Sequence, residues 1–353
     1  MFGYIMRRLL GVAGLLIALS FVTFALFTAA PANPALLVCG KSCTPAAVAA
    51  QEERMGLDQP FLVQYARYMV GIPCGESYPP VGGTFTCLRF HSELQGQNGA
   101  VYCPPEPVAL GYSFRQSECV TPLIKRAMPV TVSLALGGVI MWMIMGLSVG
   151  IYAALRRGKW QDRSAMGVAL VGYSFPTFFI ALLLLFFLCL TPMPWSGQSI
   201  MPVPQWVPFT DNPWSWFTNL LLPWFTLAII SAAFYARLTR NQMLETLGED
   251  YIRTARAKGL PDRKVIYKHG MRAGLTPIVT ALGLDFAYLL GGAIIIEQVF
   301  SLPGVGLLTL NATLQLDLGI VLATVLLGGF FVVIANLIVD VLYAYIDPRV
   351  TLV

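Results

Sequence analysis

The chain is organised around the stretch Glu249-Asp-Tyr-Ile-Arg-Thr-Ala-Arg-Ala-Lys-Gly-Leu260, which continues as Pro261-Asp-Arg-Lys-Val-Ile-Tyr-Lys-His-Gly-Met-Arg272. This polar stretch lies between two long apolar runs, and positions 237 to 272 hold nine Lys or Arg and four acids. Glu249 or Asp250 can cap a helix and place negative charge at its start. Tyr251 to Lys258 contains no Gly or Pro, and Gly259-Leu-Pro261 ends the helix. The stretch therefore predicts a short basic helix.

The side chains of this helix divide by size and charge. Small or apolar residues lie near one face and cations elsewhere: Ile252, Ala255 and Gly259 against Arg253, Arg256 and Lys258. Small residues would let another protein's backbone approach, and the charges would orient it. The alternative is a basic cytoplasmic loop that only holds the membrane topology in place.

The order of residues favours the first interpretation. Tyr251-Ile-Arg-Thr-Ala-Arg-Ala-Lys-Gly-Leu260 resembles the "EAA loop" of permease subunits of ABC importers, in the form found in the dipeptide/oligopeptide class. The Glu-Ala-Ala start of the general loop reads Arg253-Thr254-Ala255 here, as is usual in this class. His269, Arg272 and Pro277 lie where the class has them. Two glycines in His269-Gly-Met-Arg-Ala-Gly274 make a helix less favourable in the second half of the loop.

In the family this loop docks into a cleft on a separate ATPase subunit. The resemblance therefore implies that Ala255 and Gly259 form the contact face, while the cations orient it. The residues expected to couple to the ATPase are Tyr251, Arg253, Thr254, Ala255, Arg256, Ala257, Lys258, Gly259 and Arg272.

The composition is that of a membrane protein. Of the 353 residues, 56% are hydrophobic and 12% are charged, whereas a soluble domain carries about 25% charged residues. We predict an all-α integral membrane protein with six transmembrane helices. The predicted spans are Leu9–Ala30, Met128–Leu155, Ser164–Leu190, Phe217–Ala236, Thr276–Phe300 and Ile320–Tyr345.

The basic residues set the predicted topology. Of the 23 Lys and Arg, 16 lie in segments predicted to be cytoplasmic, so the net charge of +5 is a topology signal and not a nucleic-acid patch. We predict a multi-pass protein of the bacterial or archaeal plasma membrane, with both termini in the cytoplasm. A cleaved signal peptide is the alternative for the first span, but that apolar run exceeds the usual 7–15 residues. We predict three regions: 1–30 with the first helix, an extracytoplasmic domain at 31–126, and a five-helix core at 127–353 that includes the coupling loop 237–275.

The extracytoplasmic domain holds six of the seven cysteines: Cys39, Cys43, Cys74, Cys87, Cys103 and Cys119. An even set outside the cytoplasm predicts disulfides, and neighbour pairing (39–43, 74–87, 103–119) is favoured among 15 possibilities. Zinc is the rival, and it is weaker because no second histidine lies near His91. The stretch 71–110 is either a cap that meets a substrate-delivering protein or a stabilising decoration.

Four residues are candidates for the translocation pathway. Ser174 and Pro176 lie mid-span, where a proline frees a backbone carbonyl and bends the helix. Asp285 interrupts the fifth span and Glu297 lies near its outer end. A carboxylate inside a membrane is costly and faces a protein interior or water. The structural alternatives for Asp285 are that it is neutral, or that it is hydrogen-bonded to Tyr288 or to a neighbouring subunit.

The sequence contains no ATP site of its own. The near match Ala35-Leu-Leu-Val-Cys-Gly-Lys-Ser42 lacks the first glycine of a phosphate loop and opens no β–α unit. We therefore expect a transport subunit that is not an enzyme, with no catalytic residue, metal or cofactor in this chain. ATP and Mg²⁺ would be bound by partner ATPase subunits.

The resemblance covers the chain except about residues 71–110. Besides the loop, it depends on Met55–Tyr68, Gly111–Phe114, Glu297–Gly306 and the C-terminal Asn336–Tyr343 with Ile346–Arg349. It implies a second related permease, two ATPase subunits or one fused chain, an extracytoplasmic substrate-binding protein and a peptide substrate. Relatives in the class also move nickel, opines, glutathione and oligosaccharides. A secondary transporter is the alternative from another class, but we find no inverted repeat.

Overall fold

The computed structural model of the protein describes residues 2–29, 35–36, 44–55, 57, 59–74, 110–113, 115–192 and 199–346. These residues are mostly helical. The chain divides into two compact units, one of Pro129–Leu307 with Phe331–Val353 and the other of Phe2–Met128 with Leu308–Phe330.

The helices and strands follow one another in a simple order. They are α1 (Phe2–Ala29), α2 (Pro45–Met55), α3 (Phe61–Cys74), β1 (Tyr112–Ser113), β2 (Glu118–Cys119), α4 (Val120–Leu155), α5 (Trp160–Ser174), α6 (Thr177–Leu184), α7 (Pro213–Gly248), α8 (Asp250–Ala257), α9 (Asp262–Lys264), α10 (Met271–Gly274), α11 (Thr276–Leu290), α12 (Ile294–Val299), α13 (Val305–Leu314) and α14 (Leu318–Ile346). A π-helical turn, Leu185–Leu190, continues α6, and another, Val265–Gly270, joins α9 to α10.

Four helices in the described part of the chain are long and apolar enough to cross a membrane. Their spans are Leu10–Thr28, Val120–Leu155, Pro213–Gly248 and Leu318–Ile338. A bent pair, Trp160–Ser174 with Thr177–Leu190, gives a fifth if it is counted as one span. The structure thus supports a multi-span helical membrane protein with four or five spans, and the prediction of six is met only in part.

The third predicted span bends at Pro176, as the sequence predicted. The axes of its two helices differ by 98°. Phe175 and Pro176 have extended backbone, with ψ near 140°, between Ser174 and the new helix start at Thr177. Because proline has no N–H and disfavours helical backbone in the residue before it, α5 ends at Ser174. The prediction of a proline bend is confirmed.

The fifth predicted span, Thr276–Phe300, is not one helix. It is α11, a break at residues 291–293, and then α12. Gly292 adopts φ +123°, and a Cβ built there would lie 2.5 Å from the Cα of Gly306. A glycine is therefore needed at the break, both for its backbone conformation and for the close approach of the chain. Apolar composition continues across this break, so a hydropathy argument could not detect it.

The first unit is held by close contact between α4 and α7. Leu134, Trp142, Leu220 and Tyr235 are among its fully buried side chains. A Cβ built on Gly150 of α4 would lie 2.6 Å from the carbonyl oxygen of Ala236. Glycine lets the two helix backbones approach each other closely, as in other membrane helix pairs. A Cβ built on Gly146 would likewise lie 2.7 Å from the Cβ of Tyr235, so both glycines allow this approach.

The second unit joins α1 and α3 and includes a small hairpin. Phe24 of α1 makes an edge-on ring contact with Phe61 of α3 at 5.4 Å, and the hydroxyls of Ser20 and Tyr65 are 2.7 Å apart. Strands β1 and β2 pair antiparallel just before α4. The Ser113 hydroxyl donates a hydrogen bond to Asp317, which is buried immediately before α14.

The predicted disulfide framework lies largely outside the described residues. Cys119 is disulfide-bonded, while Cys39, Cys43, Cys87 and Cys103 lie outside the described residues, as does the side chain of Cys74. The predicted pairing therefore remains a prediction. The seventh cysteine, Cys189, lies in an apolar run; it is free and buried.

Candidate functional site

The coupling segment, residues 249–275, leaves the end of α7 and returns to the start of α11. Glu249 is the residue before α8, with extended backbone and no side-chain cap. After α8 the chain turns at Gly259, whose φ is +74°. Pro261 then precedes α9. The predicted short helix and its glycine–proline stop are confirmed, and the second half, for which the glycines predicted poor helicity, is helical with a π-helical turn.

One face of α8 is buried within its own chain. Ile252 is fully buried and Ala255 is 9% exposed; both pack on the fully buried Val265 of the returning turn. Leu247 and Leu260 close the edges of this small cluster. We name Ile252 and Ala255 the anchor face. Its own chain covers Ala255 in this structure, and the contact of Ala255 with another protein stays a prediction.

The opposite face of α8 is polar and exposed. We name it the docking face, and its residues are Tyr251, Arg253, Thr254, Arg256, Ala257 and Lys258. The Arg253–Asp250 and Arg256–Asp262 ion pairs, at 3.3 and 3.6 Å, are exposed on both sides and contribute little to stability. Burial raises the pKa of the Tyr251 hydroxyl, with a further contribution from Glu249. The docking face therefore offers cations to a partner at small internal cost.

Gly259 and Arg272, also predicted to couple, are exposed outside α8. A Cβ built on Gly259 meets nothing within 4 Å, so its requirement for glycine comes from its backbone and not from crowding. Arg272 is exposed on α10. The structure thus brings the predicted coupling residues into one segment, in which Ala255 is buried and the others are exposed.

An ion pair that the sequence did not reveal braces the helix that leads into this segment. The guanidinium of Arg240 on α7 donates to both carboxylate oxygens of Asp162 on α5, at 2.6 and 2.8 Å. The backbone N–H of Gly158 donates to the same carboxylate. Asp162 is nearly completely buried. Two opposite charges 78 positions apart carry no local sequence signal, so only the packing of α5 on α7 reveals the pair.

The pathway candidates on the third span are exposed. Ser174 donates its hydroxyl to the carbonyl oxygen of Leu170 at 2.7 Å, which is a bond within its own helix. Pro176 is also exposed and begins the second half of the bent pair. Neither residue contacts another functional candidate through a hydrogen bond.

Asp285 has a partner different from the predicted one. The hydroxyl of Tyr235 on α7 donates to Oδ2 of Asp285 at 2.7 Å, whereas Tyr288 is 77% exposed. Asp285 itself is half-buried. The structure therefore leaves part of this carboxylate accessible, and its role in the pathway remains a prediction.

Glu297 is bound by its own chain. It is fully buried and accepts hydrogen bonds from the Thr131 hydroxyl and the Leu307 N–H, each at 2.7 Å. A Cβ on Gly304 would lie 2.3 Å from its carboxylate carbon. The carboxylate occupies the space that two glycines leave open and fixes the turn between α12 and α13. In this structure both carboxylate oxygens of Glu297 have partners in its own chain, and its place in the translocation pathway stays a prediction.

No group of three or more His, Cys, Asp or Glu side chains in the described residues could hold a metal ion.

Comparisons with known proteins agree over the whole chain. Residues 146–352 match the family described as binding-protein-dependent transport system inner membrane component, and residues 1–101 match the family of its N-terminal part. The chain is 34% identical over 346 residues to a peptide transport system permease protein of Brucella abortus, covering 98% of each. It is 34% identical over 364 residues to the dipeptide transport system permease protein DppB of Alkalihalophilus pseudofirmus, covering 99% of each.

A third relative is named for a different substrate. The glutathione transport system permease protein GsiC of Salmonella paratyphi A is 33% identical over 350 residues, with 99% of each chain covered. Among solved structures, a chain of the inward-facing MetNI methionine ABC transporter aligns with 64% of this chain and 97% of its own length. Its TM-score is 0.48 at 18% identity, which is too distant to add to the sequence relatives.

Proposed function

The chain belongs to the family of binding-protein-dependent transport system inner membrane components, and we propose that it is the permease subunit of an ABC importer that takes up short peptides. The observation that carries this proposal is the two-faced helix α8. Its anchor face is buried in its own chain and its basic docking face is exposed. Such a helix can transmit force, because it is fixed to the permease and open to a partner.

The connection of α8 to the membrane helices supports the same function. Helix α7 runs without interruption for 36 residues, about 54 Å at 1.5 Å per residue, and ends one residue before α8 begins. The segment then returns through Val265 into α11. A push on the docking face therefore reaches two membrane helices together.

In the proposed mechanism two cytoplasmic ATPase subunits bind ATP and close on each other. Their clefts carry the coupling segments of this chain and of a second, related permease as rigid bodies. The membrane helices then change from inward-open to outward-open, and peptide released by an extracytoplasmic binding protein enters between the two permeases. The termini of this chain lie in the cytoplasm of a bacterial or archaeal cell.

Short peptides are the substrate class that the relatives support. Two of them are named for peptides or dipeptides and one for glutathione, itself a tripeptide. A passage that serves varied side chains must recognise what peptides share, namely their backbone and termini. Asp285 is suited to attract an N-terminal ammonium group, because opposite charges pair strongly where water is scarce. Ser174 and Pro176 belong to the same proposed pathway.

The experiment combines two charge reversals on the docking face, Arg253→Glu and Arg256→Glu. The matched control is Arg157→Glu with Lys159→Glu, two exposed cations in the turn before α5 that is also predicted to be cytoplasmic. The transporter is purified through a tag on this chain, and ATPase recovery and ATP-driven peptide uptake are measured.

We expect the docking-face variant to retain its companion permease but to lose ATPase recovery and uptake by about a hundredfold or more, because like charges across an interface cost several kcal/mol and each 1.4 kcal/mol is a factor of about ten. The control variant should match the wild type. If the two double variants behave alike, the docking assignment is wrong.

A further inference from the structure

We propose that Tyr235 is a positioning residue for peptide passage: its hydroxyl holds one oxygen of Asp285 so that the other receives the ammonium group of a passing peptide. This inference rests on the proposed function, because it assigns a recognition element to the same pathway. It adds a residue on α7 that the sequence reasoning did not single out.

Tyr235 is itself firmly held. It is fully buried, and its ring stacks on that of Trp142 with centroids 6.1 Å apart and planes at 23°. A Cβ built on Gly146 would lie 2.7 Å from the Cβ of Tyr235, so the α4 backbone closes the remaining side. A ring fixed in this way presents its hydroxyl in one direction, and no ordering cost remains when the carboxylate binds it.

Only one of the two carboxylate oxygens of Asp285 has a hydrogen-bond partner in the described residues. Its Oδ2 accepts the Tyr235 hydroxyl at 2.7 Å, and within the described residues its Oδ1 accepts no hydrogen bond. The residue is half-buried, and Leu284 and Tyr288 on the same helix are 48% and 77% exposed. One oxygen is therefore bound to the protein while the other is left for a ligand.

A carboxylate in this place does not face lipid, because a charge exposed to hydrocarbon is expensive. Its free oxygen needs a cation or a hydrogen-bond donor. A primary ammonium group fits, since it carries three donors and a charge, and every peptide with an unblocked N-terminus brings one. Within the described residues no Lys or Arg is paired with Asp285, so the chain itself leaves this position open for the substrate.

The bond also connects recognition to the coupling segment. Tyr235 lies on α7 and Asp285 on α11, the two helices that flank residues 249–275. Tyr235 is 13 residues before Gly248, about 20 Å along the helix. A displacement of α7 thus moves the residue that aims Asp285.

The test uses Tyr235→Phe, Asp285→Asn and the double variant in the complete transporter in proteoliposomes. Tyr288→Phe is the matched control, because it removes a hydroxyl from an exposed tyrosine on the same helix as Asp285. The probe is trialanine, or the tripeptide that the companion receptor binds best. Uptake is measured against the concentration of loaded receptor, with ATP hydrolysis recorded in parallel.

We expect Tyr235→Phe to lower the kcat of uptake about tenfold, the effect of losing one hydrogen bond to a charged group. The half-saturating receptor concentration should not change, because the peptide meets Asp285 after delivery. Asp285→Asn should lower kcat at least as much, and Tyr235→Phe should add nothing in that background. Tyr288→Phe should behave as wild type.

The pH series tests the ammonium group. An α-amino group loses its proton near pH 8, so the ratio of wild-type to Asp285→Asn uptake should fall toward one as the pH rises from 6 to 9. A ratio that does not depend on pH would overturn the ligand assignment. Effects of Tyr235→Phe and Asp285→Asn that multiply in the double variant would overturn the positioning role.

Three other outcomes can be told apart. If Asp285→Asn releases the companion permease during purification, the free oxygen belongs to a subunit contact and the inference is overturned. If the wild-type transporter takes up no tripeptide, the proposed function fails. If wild type transports normally and Tyr235→Phe does too, only this inference fails.

Discussion

Replacing Ile252 by alanine should release α8 from its own chain while leaving the membrane helices folded. Ile252 is fully buried against Val265 in a cluster closed by Leu247 and Leu260. Helix α8 has eight residues, and isolated helices shorter than about 12–15 residues are marginal in water. The anchor face must therefore hold it in place.

The size of the effect follows from the packing. An Ile→Ala change in a core costs about 2–5 kcal/mol. The cluster around Ile252 is small and its edges are only partly buried, so the surroundings can partly close and we expect about 2 kcal/mol. That corresponds to roughly a 30-fold larger population of the detached helix, since 1.4 kcal/mol is a factor of ten.

The assay is hydrogen exchange of the backbone amides of residues 250–257, together with ATP-driven uptake by the assembled transporter. Exchange should accelerate roughly 30-fold in the local-opening regime, and uptake should fall while ATP hydrolysis loses its dependence on peptide. The control is Ile144→Ala on α4, where the side chain is 63% exposed. Unchanged exchange at residues 250–257 in Ile252→Ala would refute the anchor-face reasoning.

Three further changes test other parts of the structure. Arg240→Ala should cost about 3 kcal/mol, because it leaves the buried Asp162 without its partner, and a thermal melt of the purified protein measures it. Gly304→Ala should destabilise by about 2 kcal/mol or more, since the new Cβ meets the carboxylate of Glu297, and the same melt reports it. Burial raises the pKa of Asp317 in the folded protein. Protonated Asp317 therefore favours the folded state; this contribution to stability is full below about pH 3.9 and is lost as the pH rises through the raised pKa. Asp317→Asn should remove this pH dependence from a series of thermal melts.

Matched controls separate these effects from general disturbance. Gly167→Ala on α5 adds a Cβ with nothing within 4 Å, and it should leave the melt unchanged. Double replacement of Asp162 and Arg240 by alanine should cost less than the sum of the single changes, because it removes the unpaired charge. Equal melts for Gly304→Ala and Gly167→Ala would contradict the assigned position of Glu297.

Local signals in the sequence predicted the local parts of the fold. Gly259 and Pro261 ended α8 as their backbone preferences require, and Pro176 bent the third span. Ile252 and Ala255 share a face because they are three residues apart on a helix. What that face contacts depends on Val265, which returns only after a glycine–proline turn, so the contact could not be read from the helix itself.

Contacts between distant parts of the chain could not be predicted from the sequence. Tyr235 and Asp285 are 50 positions apart, and Thr131 and Glu297 are 166 apart. Periodicity identifies helices and their faces, but it does not pair one helix with another. Hydropathy likewise treated residues 276–300 as one span, because the break at Gly292 lies within an apolar run.

The central claim is that the docking face of α8 meets a cytoplasmic ATPase while the anchor face stays covered. A cysteine at the exposed Ala257 should cross-link to the ATPase subunit in the assembled transporter, with a yield that changes when ATP is added. A cysteine at Ala255, about half a turn away and buried, should not. Labelling of the Ala257→Cys variant by an impermeant reagent added outside intact cells, or equal cross-linking from both positions, would contradict the account.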